Sequence, residues 1–182
     1  MNRGSLKRYN DFYRVCVLFF IVLILLSSCA GISEQRVIRG ENYGRITVVL
    51  EVKDKIKKNI TFKLSGISIV NEKGGETGLI EAPLIINSYD LKGRQIVIAE
   101  KMIPEGRYKR LRIFLKEPSI TSKGRISSLA YSNVPVDLDL ETIVYRKKNT
   151  MVFIQWSPDS SVEEGYRFSP LFTLKAAPPD IS

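Results

Sequence analysis

Histidine is absent from the 182 residues. That absence excludes imidazole-based triads, Cys/His zinc sites and imidazole pH switches together. Cysteine is scarce, occurring only at Cys16 and Cys29. Cys16 lies in an N-terminal apolar run expected to be discarded, so the mature chain has no pair from which to form a disulfide. The longest apolar run, Val15–Leu26, falls short of the roughly 20 residues that cross a hydrocarbon core as a helix. No repeat and no low-complexity tract is present. What remains is enough chain for one domain that buries its own core without covalent staples.

The N-terminus is organised for export. Met1–Arg14 is a basic segment carrying Arg3, Lys7, Arg8 and Arg14, and the apolar run follows it. That run ends in Leu26-Ser27-Ser28-Cys29, which resembles the lipobox of bacterial lipoproteins: a branched apolar residue, two small residues, then cysteine. Small side chains let an extended backbone into a signal peptidase, and the thiol accepts a diacylglyceryl group. The expectation is a signal-peptide helix removed as residues 1–28, with Cys29 carrying diacylglycerol and an N-acyl chain and no other cofactor. Several acyl chains, at about 0.8 kcal/mol per buried methylene, hold a domain at a bilayer far more firmly than one chain. Ala30 follows the cysteine where an aspartate would favour inner-membrane retention, so the expected location is the outer membrane, on its periplasmic face or at the cell surface. Polar residues through Asn42 make 29–42 a lipidated tether.

The formal charge is +9, and removing Arg3, Lys7, Arg8, Arg14 and Asp11 with the leader leaves +6. The cations are scattered along strand-like segments, which reads as a solvated surface. Their densest cluster, Arg146-Lys147-Lys148, falls where a hairpin tip is expected and offers a second reading as a contact for anionic headgroups.

From Tyr43 the chain alternates with period two. Ile46, Val48, Leu50 and Val52 share one face of Gly44–Lys53, and Thr47, Glu51 and Lys53 the other. The same alternation marks Ile60–Leu64, Ile96–Ile98 and Leu111–Leu115, and further strands are expected at Leu84–Tyr89, Val134–Leu140, Thr142–Arg146, Thr150–Trp156 and Tyr166–Ala176. Turn residues separate them at Lys73-Gly74-Gly75, Lys92-Gly93, Pro104-Glu105-Gly106, Ser122-Lys123-Gly124 and Lys147-Lys148-Asn149. Within Val134–Leu140, the residues Val134, Val136, Leu138 and Leu140 are expected inward, and Pro135, Asp137 and Asp139 outward. Pro158–Gly165 has room for one helical turn. About eight to ten short strands predict an all-β antiparallel sandwich, immunoglobulin-like or transthyretin-like, over 43–177 with a tail at 178–182. A closed barrel is the alternative.

Three stretches, in order and approximate spacing, resemble the bacterial domain of unknown function 4382 family. They are Asp90-Leu91, the Pro104-x-Gly106-x-Tyr108 turn leading into Leu111-Arg112-Ile113, and Ser161-Val162 followed by Tyr166-Arg167-Phe168-Ser169-Pro170. The sequence departs from the family pattern at Asp90-Leu91-Lys92-Gly93, where a longer leucine-rich stretch is usual. The resemblance implies an exported β-sandwich lipoprotein and brings no catalytic residues with it. Read from the residues alone, Pro104 presets φ, Gly106 supplies a backbone conformation other residues resist, and Tyr108 packs across the corner with its hydroxyl on the backbone.

Chemistry is thin. Asp137 and Asp139 share a strand face with Cα atoms roughly 6.5–7 Å apart, within range for a glycosidase pair, but alternating acids on an exposed face more often keep a strand soluble. With Glu141 they lack the loop and glycine of a calcium cage. Glu163 and Glu164 have no His or Cys partner, and Ser160 and Ser161 lack a Gly-x-Ser-x-Gly context. Trp156 shares its face with Val152 and Ile154 and is read as core. Tyr43, Tyr131 and Tyr145 are the candidate ligand-binding residues, Tyr131 being the freest, because flat rings cover the apolar faces of sugars. Basic and aromatic residues do not converge in the pattern a nucleic-acid partner requires. The expected role is a non-enzymatic binding or structural module whose partner is a glycan, a polyanion or an envelope protein. A carboxylate-dependent hydrolase and a ligand-free spacer are the alternatives.

Overall fold

The computed structural model describes residues 42–52, 55–164 and 166–176. The expected leader with Leu26, Ser27 and Ser28, and Cys29, where lipidation is expected, lie outside the described residues. The strands are β1 (Tyr43–Val52), β2 (Asn59–Asn71), β3 (Glu76–Gly78), β4 (Leu84–Asn87), β5 (Gln95–Pro104), β6 (Gly106–Ser122), β7 (Arg125–Ser128), β8 (Val136–Val144), β9 (Asn149–Trp156), β10 (Val162–Glu163), β11 (Arg167–Phe168) and β12 (Phe172–Ala176). They form an all-β sandwich. One sheet runs β12-β9-β1-β5, and its central β1–β9 pair is parallel. The other is built on the long antiparallel pair β2–β6. Two short strands flank each of them end to end, β3 and β4 on β2, β7 and β8 on β6. β10 and β11 form a separate two-stranded ribbon.

The core lies between the sheets. β1 contributes Ile46, Val48, Leu50 and Val52, and β9 contributes Val152, Ile154 and Trp156. The facing sheet supplies Ile60, Phe62, Leu64, Ile67 and Ile69 from β2 and Tyr108, Leu111, Ile113 and Leu115 from β6. Trp156 is fully buried, as its strand parity implied, and Phe62 meets it edge-on at 4.8 Å between centroids. Such aromatic pairs are worth about 1 kcal/mol beyond the area they bury. The Trp156 indole N–H donates to Ser161 Oγ at 3.0 Å. Ser161 Oγ also accepts from the Leu171 backbone N–H at 3.0 Å and donates to the Ser157 carbonyl at 2.7 Å. This buried hydroxyl therefore ties the end of β9, the 3-10 turn Pro158–Ser160 and the approach to β12.

β2 and β6 run far beyond the expected Ile60–Leu64 and Leu111–Leu115, because bulges interrupt their alternation. The β2–β6 register slips between Leu64 and Gly66, and the inward set changes from Ile60, Phe62 and Leu64 to Ile67 and Ile69. On β6 the inward residues jump from Tyr108 to Leu111 and from Leu115 to Pro118. An extra residue in one strand shifts every later side chain by one place, so a strict period-two reading stops there while the strand continues. The segment expected as Tyr166–Ala176 is divided into β11 and β12 around Ser169-Pro170, since proline gives the ladder no N–H. Val134 precedes β8 and is exposed rather than inward, whereas Leu140 is buried and Asp137 and Asp139 face solvent.

The Pro104–Tyr108 corner forms as its sequence implied. Gly106 holds φ 150°, and the Tyr108 hydroxyl donates to the Pro104 carbonyl at 2.8 Å. Arg146-Lys147-Lys148, by contrast, is not a hairpin tip. The chain there leaves β8 in one sheet for β9 in the other, so the cations sit on a corner between layers.

Candidate functional site

The parallel pairing of β1 with β9 and the antiparallel pairing of β1 with β5 bring Gln155 and Gln95 to either side of Glu51. These outward positions, with Val52, Lys55, Gly93 and Arg94, line an open groove of about 530 Å³. Gln95 Nε2 donates to Glu51 Oε2 at 2.8 Å, which orients the carboxylate across the groove floor. Lys55 and Arg94 supply cations at the rim, both exposed. The lining thus combines amide donors and acceptors, one carboxylate and two cations, a set suited to hydroxyl-rich or anionic ligands. Nothing local in the sequence announces this set. Its members come from three strand ends, the turn before β5 and the connection after β1, and only strand order makes them neighbours.

The three tyrosines expected as ligand-binding residues do not converge. Tyr43 opens β1 half-buried, and Tyr145 lies on the β8–β9 corner beside it, 44% exposed. Tyr131 lines a groove of about 620 Å³ with Lys116, Glu117, Pro118, Leu129 and Asn133. On β6, which pairs with the Tyr145 end of β8 at Gly106, that groove lies ten residues away, roughly 30 Å along a strand. Tyr131 is also less free than its sequence context suggested. Its ring meets Phe168 edge-on at 5.6 Å, and its hydroxyl donates to the Val134 carbonyl at 2.7 Å. Burial pushes its phenol pKa up, which keeps that donor protonated.

Asp137 and Asp139 sit on the solvent face of β8, as expected, but Asp137 is already engaged. Arg112 grips it through Nε to Oδ1 at 2.8 Å and through a second nitrogen to Oδ2 at 3.2 Å, and Arg110 adds a contact at 3.5 Å. These guanidinium contacts hold the Asp137 carboxyl below its ordinary pKa. A glycosidase acid needs the opposite shift, a proton retained near neutrality. Arg112 also reaches Glu76 of β3 at 2.9 Å, and Glu76 accepts from the Ser68 hydroxyl. The cluster therefore runs β3–β2–β6–β8 and fastens four strands on one outer face. Among the described residues no group of three His, Cys, Asp or Glu side chains could hold a metal ion, and no helix is long and apolar enough to cross a membrane.

No family model, curated protein or solved structure matches this chain.

Proposed function

We propose that the chain is a lipid-anchored envelope lipoprotein of the kind its resemblance to the domain of unknown function 4382 family implies, acting as a non-enzymatic binding module for a glycan or another polyanionic envelope component. The observation that carries the binding reading is the Glu51–Gln95–Gln155 groove with its Lys55 and Arg94 rim. The tether precedes Tyr43 at the start of β1, and the groove lies at the other end of that strand, about 30 Å away. The groove thus lies at the end of β1 opposite the one that the tether joins. The Leu26-Ser27-Ser28-Cys29 segment supports the anchor. The Tyr108 corner supports the kinship.

Two measurements test the proposal. In cells fed labelled palmitate, the wild-type chain takes up label and Cys29→Ala does not; normal acylation of that variant overturns the anchor. Soluble glycan and anionic polysaccharide fractions from envelopes are expected to bind the wild type and to lose at least tenfold in affinity on Glu51→Gln with Arg94→Gln. Equal binding by both proteins would remove the groove from the reading.

A further inference from the structure

We infer that the β8–β9 corner is a docking surface for an anionic phospholipid bilayer, holding the domain in one orientation; this rests on the lipid-anchor reading above. Backbone bonds place the corner where the tether arrives. The Lys147 N–H donates to the Tyr43 carbonyl at 2.9 Å, the Arg45 N–H to the Lys148 carbonyl at 2.9 Å, and the Glu105 N–H to the Asn42 carbonyl at 2.8 Å. A tether ending at Asn42 therefore joins the domain at this end of the sandwich.

The corner has the composition of an interfacial contact. Tyr145 is exposed and next to three consecutive cations, of which Arg146 and Lys147 are exposed and Lys148 half-buried. An aromatic ring with a polar tip sits favourably at headgroup depth, and neighbouring cations are drawn to anionic lipid. Acids occur at the same end, but Glu72 is paired with Lys109 at 3.7 Å. Glu141 lines one pocket with Arg107, and with Glu105 counted as well the cations Arg107, Lys109, Arg146, Lys147 and Lys148 still outnumber the acids Glu72, Glu105 and Glu141. The turn is also held rigidly. Lys148 N–H closes it onto the Tyr145 carbonyl at 3.2 Å, and Lys147 takes φ 58°. Glycine or asparagine accepts that conformation at lower cost than lysine.

The anchor and the corner make different demands on the lipid. Acyl insertion is indifferent to headgroup charge, whereas three cations near an anionic surface together shift docking by about a hundredfold. The test uses the acylated protein in vesicles of phosphatidylcholine alone, or with about a third phosphatidylglycerol, with brominated acyl chains as quencher. Tyr145→Trp places a reporter in the corner while Trp156, fully buried, gives a constant background. Ile126→Trp on β7, at an exposed site away from the corner, is the control.

Quenching and a blue shift of the Tyr145→Trp emission are expected only with phosphatidylglycerol. Both should be abolished by about 0.5 M salt and by Arg146→Gln, Lys147→Asn and Lys148→Gln together, with near-ultraviolet dichroism checking the fold. Equal quenching in uncharged vesicles, an unresponsive reporter, or a triple variant that behaves like its parent would overturn the proposal. Sedimentation with the vesicles reports the anchor separately. Protein that sediments without corner quenching refutes docking alone, and protein that fails to sediment refutes the anchor and the docking built on it.

Discussion

Replacing Ser161 by alanine tests the account of how the sandwich closes. Its hydroxyl is fully buried and serves three groups: the Trp156 indole N–H at 3.0 Å, the Leu171 N–H at 3.0 Å and the Ser157 carbonyl at 2.7 Å. Alanine fits the space and removes the oxygen without making room for a water. The indole N–H, deepest of the three, is left unsatisfied at a cost of about 2 kcal/mol, and the two more peripheral backbone groups add about 1 kcal/mol together. Ser161→Ala is therefore expected to lower stability by about 3 kcal/mol in urea unfolding at unchanged slope, equivalent to a Tm drop of about 10 °C. Ser160→Ala, at the exposed neighbouring position, should change it by less than about 0.5 kcal/mol. In a Trp156→Phe background the indole donor is already gone, so adding Ser161→Ala should cost only about 1 kcal/mol, and the difference measures the coupling. A loss below about 1 kcal/mol for Ser161→Ala, or equal losses in both backgrounds, would refute the reasoning.

Gly44→Ala would place a Cβ 2.2 Å from the Tyr145 carbonyl oxygen and 2.7 Å from Val144 Cγ1. A loss of about 3 kcal/mol or more is expected, with amide shifts at 145–148 marking displacement of the corner. Tyr108→Phe removes the bond to the Pro104 carbonyl and should cost about 1 kcal/mol. Burial raises the Tyr108 pKa above its ordinary value, so its contribution is complete below about pH 10 and lost as pH rises through the folded value; the phenylalanine variant should show a shallower alkaline decline. Asp137, held by Arg112, has a lowered pKa, so the ion pair stabilises the fold above the ordinary aspartate range and is lost as pH falls through the lower folded value. The group is 38% exposed, which limits the effect to under about 1 kcal/mol. Asp137→Asn should flatten the urea midpoint between about pH 5 and pH 2, and an unchanged acid slope would count against the pairing.

Much of the fold was legible because burial in a sheet imposes period two on the residues themselves. Ile46-Val48-Leu50-Val52 and Val152-Ile154-Trp156 could be read as inward faces without knowing their partners. The Pro104–Tyr108 corner was legible for a related reason: its bond closes within five residues. Where the information is not local, reading stopped. Bulges at Leu64–Gly66 and Tyr108–Arg110 broke the alternation, so the expected segments covered only parts of β2 and β6. The short strands β3 and β7 were missed because each has its ladder supplied by a neighbour and little apolar pattern of its own.

The sequence by itself determined the β class, the inward faces and the absence of histidine, since each depends on residue identity or short spacing. Only the tertiary structure decided that β1 pairs in parallel with β9, that Arg146-Lys147-Lys148 turns between two sheets, and that Glu51, Gln95 and Gln155 share one groove. It also decided that Ser161 is a structural hub and that Asp137 is occupied by Arg112. Those facts belong to strand order. Order is set by which whole faces bury best against one another, a property of the assembled sandwich that no single segment carries.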